Sequence, residues 1–205
     1  MTGQSLNTVL SPTRPMICET EVRELVQRYG APLRRTFNVQ ADEYIRAYRW
    51  RHNSDRRAEV VFAIQDPTGK IWMHSKAHYP AHLCRLPSGG VCLDESIYDA
   101  LLREVDEETA LRVRVHRFVG LIEYRFHHSG SVVKFASYIF HLCSQEQPKL
   151  PESGEIYAFR AILPSQLQQL TVDMRNMMGD RRGWGQWRAL AHDLVYDYFC
   201  GSPER

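Results

Sequence analysis

Three carboxylates carry the first chemical signal in this chain. In the stretch REVDEET, Glu104, Glu107 and Glu108 fall at positions i, i+3 and i+4, which on a helix share one face. Like charges at that spacing repel by roughly 0.2–0.5 kcal/mol per pair. They also sit near the C-terminal end of the predicted helix, where the helix dipole disfavours anions. Toward the N-terminus the same face continues through Leu101, Ala100 and Ile97, so an apolar stripe turns acidic halfway along. Carboxylate oxygens suit Mg²⁺ or Mn²⁺, and a shared divalent cation would convert the repulsion into ligation. Taken alone, the spacing also describes a solvated acidic face, the commoner use of such runs.

The elements that must position these residues read as a mixture of strands and helices. The acidic helix is expected from about Asp94 to Glu108, with Asp94 or Ser96 as its cap and Glu95 beside its positive end. Before it, RLPSGGVCLDES reads as a glycine-containing loop. ETEVRELVQRYGAP spaces Val22, Leu25, Val26 and Tyr29 as a short helix, stopped by Gly30 and Pro32. EYIRAYRW alternates, with Tyr44, Arg46, Tyr48 and Trp50 on one side, and is expected as a strand. AEVVFAIQ and IWMHSKAHY form a hairpin around the turn DPTGK. RVRVHRFVGLIEYRF and SVVKFASYIFHLC are strands around HHSG, and PKLPESGE is a polar loop before the strand IYAFRAIL. A helix starts at Pro164 and Ser165, and a last one, WGQWRALAHDLVYDYF, places Trp187, Leu190, Ala191, Leu194 and Val195 in an apolar stripe. This pattern argues for an α/β (α+β) fold, a mixed sheet covered by helices. Residues 1–17 are expected as a flexible tail and 18–205 as a single domain.

Composition narrows the class. The chain has 205 residues, is 43% hydrophobic and carries a net charge of +2, so a nucleic-acid partner is not expected. No apolar run approaches the roughly 18 residues of a membrane span, and MTGQSLNTVLSPTRPM lacks the pattern of a secretory signal. Cys18, Cys84, Cys92, Cys143 and Cys200 are odd in number and contain no CxxC pair, which reads as reduced thiols and a cytoplasmic location. His74, His78 and His82 fall at four-residue steps, but on a strand and turn, so no zinc site is expected.

The residues around the glutamates resemble the signature of the Nudix hydrolase family, G-x5-E-x7-R-E-U-x-E-E-x-G-U with U aliphatic. Gly89 begins it, GVCLD fills the first gap, Glu95 follows, and SIYDALL fills the second gap. Arg103, Glu104, Val105, Glu107, Glu108 and Leu111 match in turn, and Ala110 stands where the family has Gly. The resemblance implies an αβα sandwich, here with N- and C-terminal helical extensions. It implies a hydrolase that cleaves a phosphoanhydride bond in a nucleoside diphosphate linked to another group. Carried over residue by residue, Glu104, Glu107 and Glu108 would bind Mg²⁺ or Mn²⁺ and do the chemistry. A backbone carbonyl of the loop, at Gly89 or Gly90, would add a ligand, and Glu95 and Arg103 would orient the glutamates. In some relatives the base lies in a separate loop, for which Glu152 and Glu155 are candidates. The resemblance leaves open a second use, a nucleotide-binding sensor with weak or no catalysis. The secondary signatures of the ADP-ribose, NADH and isopentenyl diphosphate isomerase branches are absent, so it names no substrate.

Arg46, Lys76 and Arg85 are candidates for substrate phosphates, with Arg49 and Arg51 beside them. Tyr48, Trp50, Tyr79 and Tyr124 could stack on a base, although strand aromatics more often pack in a core. Trp184 and Trp187 are candidate anchors for a homodimer, with packing inside the core as the competing use.

Overall fold

A computed structural model of the chain describes residues 14–50, 55–77, 79–80 and 82–201. Helix α1 (Glu19–Tyr29) leads into strand β1 (Leu33–Gln40) and helix α2 (Glu43–Arg49). Strands β2 (Arg56–Gln65), β3 (Ile71–Lys76) and β4 (Ser88–Cys92) precede helix α3 (Ile97–Thr109). Strands β5 (Arg114–His128), β6 (Ser131–Cys143) and β7 (Ile156–Ile162) follow, and helices α4 (Leu167–Arg175) and α5 (Arg182–Cys200) close the fold. Residues 1–13 of the expected tail lie outside the described residues, whereas 14–17 are docked: Arg14 pairs with Glu21 at 2.7 Å, and Met16 and Ile17 pack against the core.

The strands form one seven-stranded mixed sheet in the order β1-β5-β6-β2-β3-β7, with β4 paired to β2 off that path. The β1–β5 and β2–β6 pairs are parallel, and the remaining pairs are antiparallel. Alternation along β2 explains the two cores. Ala58, Val60, Phe62 and Ile64 face α1 and α3, while Val61 and Ala63 face α2, α4 and α5. A bulge between Phe118 and Gly120 switches the parity of β5, so Phe118 and Leu121 serve one face and Ile122, Tyr124 and Phe126 the other. The result is the expected αβα sandwich with helical segments at both ends.

Three local expectations are corrected, and one strand stands where no element is expected. EYIRAYRW is helix α2, because the Asp42 carboxylate caps it by accepting from Ile45 N–H at 2.9 Å and Ile45 is buried. The stretch Leu33–Gln40 is strand β1, held by its parallel register with β5 in spite of its exposed side chains. The glycine-containing segment is strand from Ser88 to Cys92, paired antiparallel with β2. The acidic helix begins after Ser96, whose hydroxyl accepts from Asp99 N–H at 3.0 Å.

Helix α3 ends on Ala110 at φ 52°, ψ 30°, a left-handed cap whose N–H donates to the Asp106 carbonyl. Ala pays a steric penalty there that Gly does not, on the order of 1 kcal/mol. Ala110→Gly is therefore expected to stabilise the protein by about 0.5–1 kcal/mol, read as a raised denaturation midpoint at unchanged slope. A loss of stability would show that the left-handed cap is not the conformation in solution.

Candidate active site

The acidic face of α3 is only partly exposed. Side-chain exposure is 9% for Glu104, 12% for Glu108 and 58% for Glu107, so two of the three carboxylates are sequestered and the third faces outward. Arg103 holds them. Its Nη1 donates to Glu104 Oε1 at 2.8 Å and to Glu107 Oε2 at 3.0 Å. Its Nε and Nη2 donate to Glu95 at 2.7 and 2.9 Å, and Nη2 also donates to the Gly90 carbonyl at 2.8 Å. These bonds hold the Glu95 carboxyl below its usual range and raise Arg103 further. Glu95 also accepts from Cys92 N–H, which fixes the loop between β4 and α3.

Gly89 has a steric reason to be glycine. A Cβ there would overlap the Glu104 carboxylate, so the bare backbone is what allows that carboxylate to lie against β4.

Glu108 sits deeper. Burial pushes its carboxyl above the usual range, while Arg85 and Lys76 pull the other way. Lys76 Nζ and His74 Nδ1 each lie 3.5 Å from it. Its Oε2 is buried and has no hydrogen-bond partner among the described residues, and neither ring nitrogen of the fully buried His74 has one. Burial, then Arg85 and Lys76, hold His74 neutral.

Apart from the buried His74 and from Glu95, these groups line a pocket of about 800 Å³. It opens at the end of the sheet where β2 and β6 start and β3 ends. One wall is α3 with Gly89 and Gly90; the other carries Arg49, Arg85, Arg188, Lys76, Tyr48 and Phe135. Arg85 is buried and braced from behind, donating to Tyr79 Oη at 2.6 Å and Ser88 Oγ at 2.7 Å. Glu152 and Glu155 reach the rim from the β6–β7 loop, and Glu155 accepts from Lys76 at 3.0 Å.

The sequence-derived candidates divide accordingly. Gly89, Gly90, Arg103, Glu104, Glu107, Glu108, Lys76 and Arg85 meet in the pocket, with Glu95 behind Arg103. Arg46 does not: it lies one turn before Arg49 on α2, outside the pocket lining, and pairs with the exposed Glu43 at 2.6 Å. Arg51 and His78 lie outside the described residues. Of the aromatic candidates Tyr48 lines the pocket; Tyr124 is buried in the core and Trp50 donates to Ser131. Trp184 and Trp187 are buried in the core of the chain. Among the lining residues that the sequence does not single out are Glu59, Arg188 and Phe135. Glu59 was legible as a lone carboxylate in the apolar run AEVVFAIQ, and Arg188 as a charge between Trp187 and Ala191 on the buried stripe of α5.

The donor set fits a hard divalent cation. It is all oxygen, it includes a buried carboxylate oxygen with no partner, and the Gly89 cradle leaves room at Glu104. With Arg103 bridging Glu104 and Glu107, no three carboxylate, imidazole or thiol groups among the described residues converge as a complete cage. Arg103 Nη1 thus occupies oxygens of Glu104 and Glu107 that a cation would also use.

Fold and site together define an αβα-sandwich protein with a carboxylate-bearing helix facing an arginine-lined wall across one pocket. The model of the NUDIX domain matches residues 55–180, well over half of the chain, and the chain belongs to the Nudix family; it is a hydrolase acting on acid anhydrides, a pyrophosphohydrolase in the general sense. Its fold is similar to that of Tm1382, a candidate Nudix hydrolase, with 18% identity, a TM-score of 0.50, and 75% of this chain and 76% of that one covered. A NUDIX hydrolase from Nitrosomonas europaea aligns at 17% identity and a TM-score of 0.49 over 72% and 90% of the two chains. An ADP-ribose pyrophosphatase from Streptococcus suis aligns at 17% and 0.45 over 74% and 96%. Comparison with curated proteins finds no match. Among the described residues no helix is long and apolar enough to cross a membrane.

The close approach at Gly89 yields a test of the packing itself. Gly89→Ala is expected to destabilise by about 1–3 kcal/mol, and adding Glu104→Ala should recover much of that loss in a double-mutant cycle. Additive losses would show that the two residues do not touch.

Proposed function

We propose that the protein is a divalent-cation-dependent pyrophosphohydrolase that cleaves the phosphoanhydride of a nucleoside diphosphate linked to another group, by attack of water on phosphorus. The observation that supports this most is the gathering of Glu104, Glu107 and Glu108 beside Gly89 and Gly90 on one wall of a pocket whose other wall is cationic. In this reading the three glutamates hold Mg²⁺ or Mn²⁺, together with a carbonyl of the Gly89–Gly90 segment. The bound cation supplies charge neutralisation at the diphosphate and a more acidic water. Arg103 and Glu95 are positioning residues: they fix the rotamers of Glu104 and Glu107 and the entry of α3. Lys76 and Arg85 meet phosphate oxygens, Arg85 as a planar fork already braced by Tyr79 and Ser88. A carboxylate of the α3 cluster accepts the proton of the attacking water. Of the loop candidates for that role, Glu155 is engaged by Lys76 and Glu152 stands at the rim.

A nucleotide panel with Mg²⁺ or Mn²⁺, read as release of phosphate-containing products, tests this. EDTA is expected to abolish turnover, and Glu107→Gln and Glu108→Gln should each lower kcat by about 10²-fold or more. Unchanged turnover in both variants would remove the metal assignment. Tight nucleotide binding without turnover would instead favour a sensor.

A further inference from the structure

Among the described residues, the wall opposite α3 is built around a guanidinium without an anion of its own. Arg49, the last residue of α2, lines the pocket. Its Cζ lies 3.6 Å from the centre of the Phe135 ring, 4.6 Å from that of Tyr48 and 4.7 Å from that of Trp187. Its Nε is buried and has no hydrogen-bond partner among the described residues. The carboxylate that acts on it, Glu59, is already engaged: Arg188 Nη1 donates to both of its oxygens, at 2.9 and 2.8 Å, and Ser137 Oγ donates to Oε1 at 2.5 Å. Arg188 lines the same pocket and its Nε also lacks a partner. Two guanidiniums thus share one carboxylate.

Burial pulls Arg49 down to about 10 against the pull of Glu59, yet a guanidinium stays protonated at neutral pH. Its Nε is cut off from water without an acceptor, which is costly for a charged group. The ring faces offset part of this, but they address the flat face of the guanidinium. Its N–H groups lie in the plane and require acceptors. A phosphate supplies them in the forked geometry that arginine matches.

We infer that Arg49 and Arg188 form an anion subsite for a phosphate group that the substrate carries in addition to the one engaged by the α3 carboxylates. The pocket, at about 800 Å³, has room for both. The two arginines are held in relation to each other by Asp42, whose carboxylate accepts from Ile45 N–H at the start of α2 and from Gly183 N–H at the start of α5. Both residues fall outside the family match at 55–180, so the subsite is built from the segments that flank that region. The identity of the ligand as substrate rests on the hydrolase reading; the existence of the subsite does not.

The test is calorimetric titration of the intact protein with inorganic pyrophosphate in excess EDTA, which silences any cation-dependent binding. Wild type is expected to bind saturably, more weakly as salt rises. Arg49→Met should bind about tenfold more weakly or worse, and Arg49→Lys should fall between, because an ammonium keeps the charge and loses the fork. Glu107→Gln, on the opposite wall, should bind at least as tightly as wild type. Equal affinity in wild type and Arg49→Met, or no saturable binding in wild type, would overturn the subsite. Should Arg49→Met fail to fold, wild-type affinity in Arg49→Lys overturns it and weakened affinity supports it. Pyrophosphate binding through Arg49 in a protein that turns over no nucleotide would retain the subsite and discard the hydrolase reading; turnover with no effect of Arg49→Met would do the reverse.

Discussion

The guanidinium of Arg103 holds four groups at once: the carboxylates of Glu95, Glu104 and Glu107 and the carbonyl of Gly90. Without it, α3 would present an acidic cluster at the end where its dipole is least favourable to anions. Arg103 is about a third exposed, so each ion pair contributes roughly 1 kcal/mol or less to stability. Its larger effect is geometric. One rigid fork ties strand β4, the loop after it and helix α3 into a single unit, and the Gly89 backbone admits Glu104 against that unit. A strong cation is thus placed where a divalent ion would compete for the same oxygens. The bonds from Nε and Nη2 to Glu95 anchor Arg103 independently of Glu104 and Glu107.

The other wall obeys a different logic. Glu59 and Arg188 are both buried, and together they join β2 to α5. A pair of this kind adds little net stability against an apolar replacement, but loss of one member would strand the other. It fixes the approach of α5 to the sheet and, through the aromatic group of Trp187, Phe135 and Tyr48, the direction in which Arg49 faces. The pocket exists because two walls of opposite sign are each braced from behind. Neither can relax toward the other without abandoning bonds inside its own layer.

The part of this arrangement legible in the sequence is the part encoded at short range. The acidic triplet, its helix and the run from Gly89 to Leu111 are fixed by spacing, and the structure brings those residues together. Even Ala110, which departs from the family in residue type, keeps the left-handed conformation at φ 52°. What escaped was encoded elsewhere. Strand β1 shows little burial along its length and owes its form to the parallel register with β5. Helix α2 resembles a strand in sequence because Tyr44, Arg46 and Tyr48 alternate, whereas the deciding signal is Asp42 as a cap. Arg46 fell away with that error and Arg49 took its place, since helical geometry turns the two to different sides. Glu59 and Arg188 are far apart in the chain, and only the packing of α5 on β2 makes them one feature.

The cationic groups of the pocket also differ in origin. The wall that carries the carboxylates, with Lys76 and Arg85 across from it, lies entirely within the stretch that matches the family, 55–180. Arg49 and Arg188 come from before and after that stretch, on helices linked through Asp42. The groups suited to breaking an anhydride are therefore built from local sequence around one strand–loop–helix unit. The groups suited to telling one anhydride from another depend on how the flanking helices dock. Changes in those helices can alter what the pocket accepts while leaving Arg103 and its carboxylates undisturbed, because no hydrogen bond among the described residues joins Arg49 or Arg188 to the α3 cluster directly.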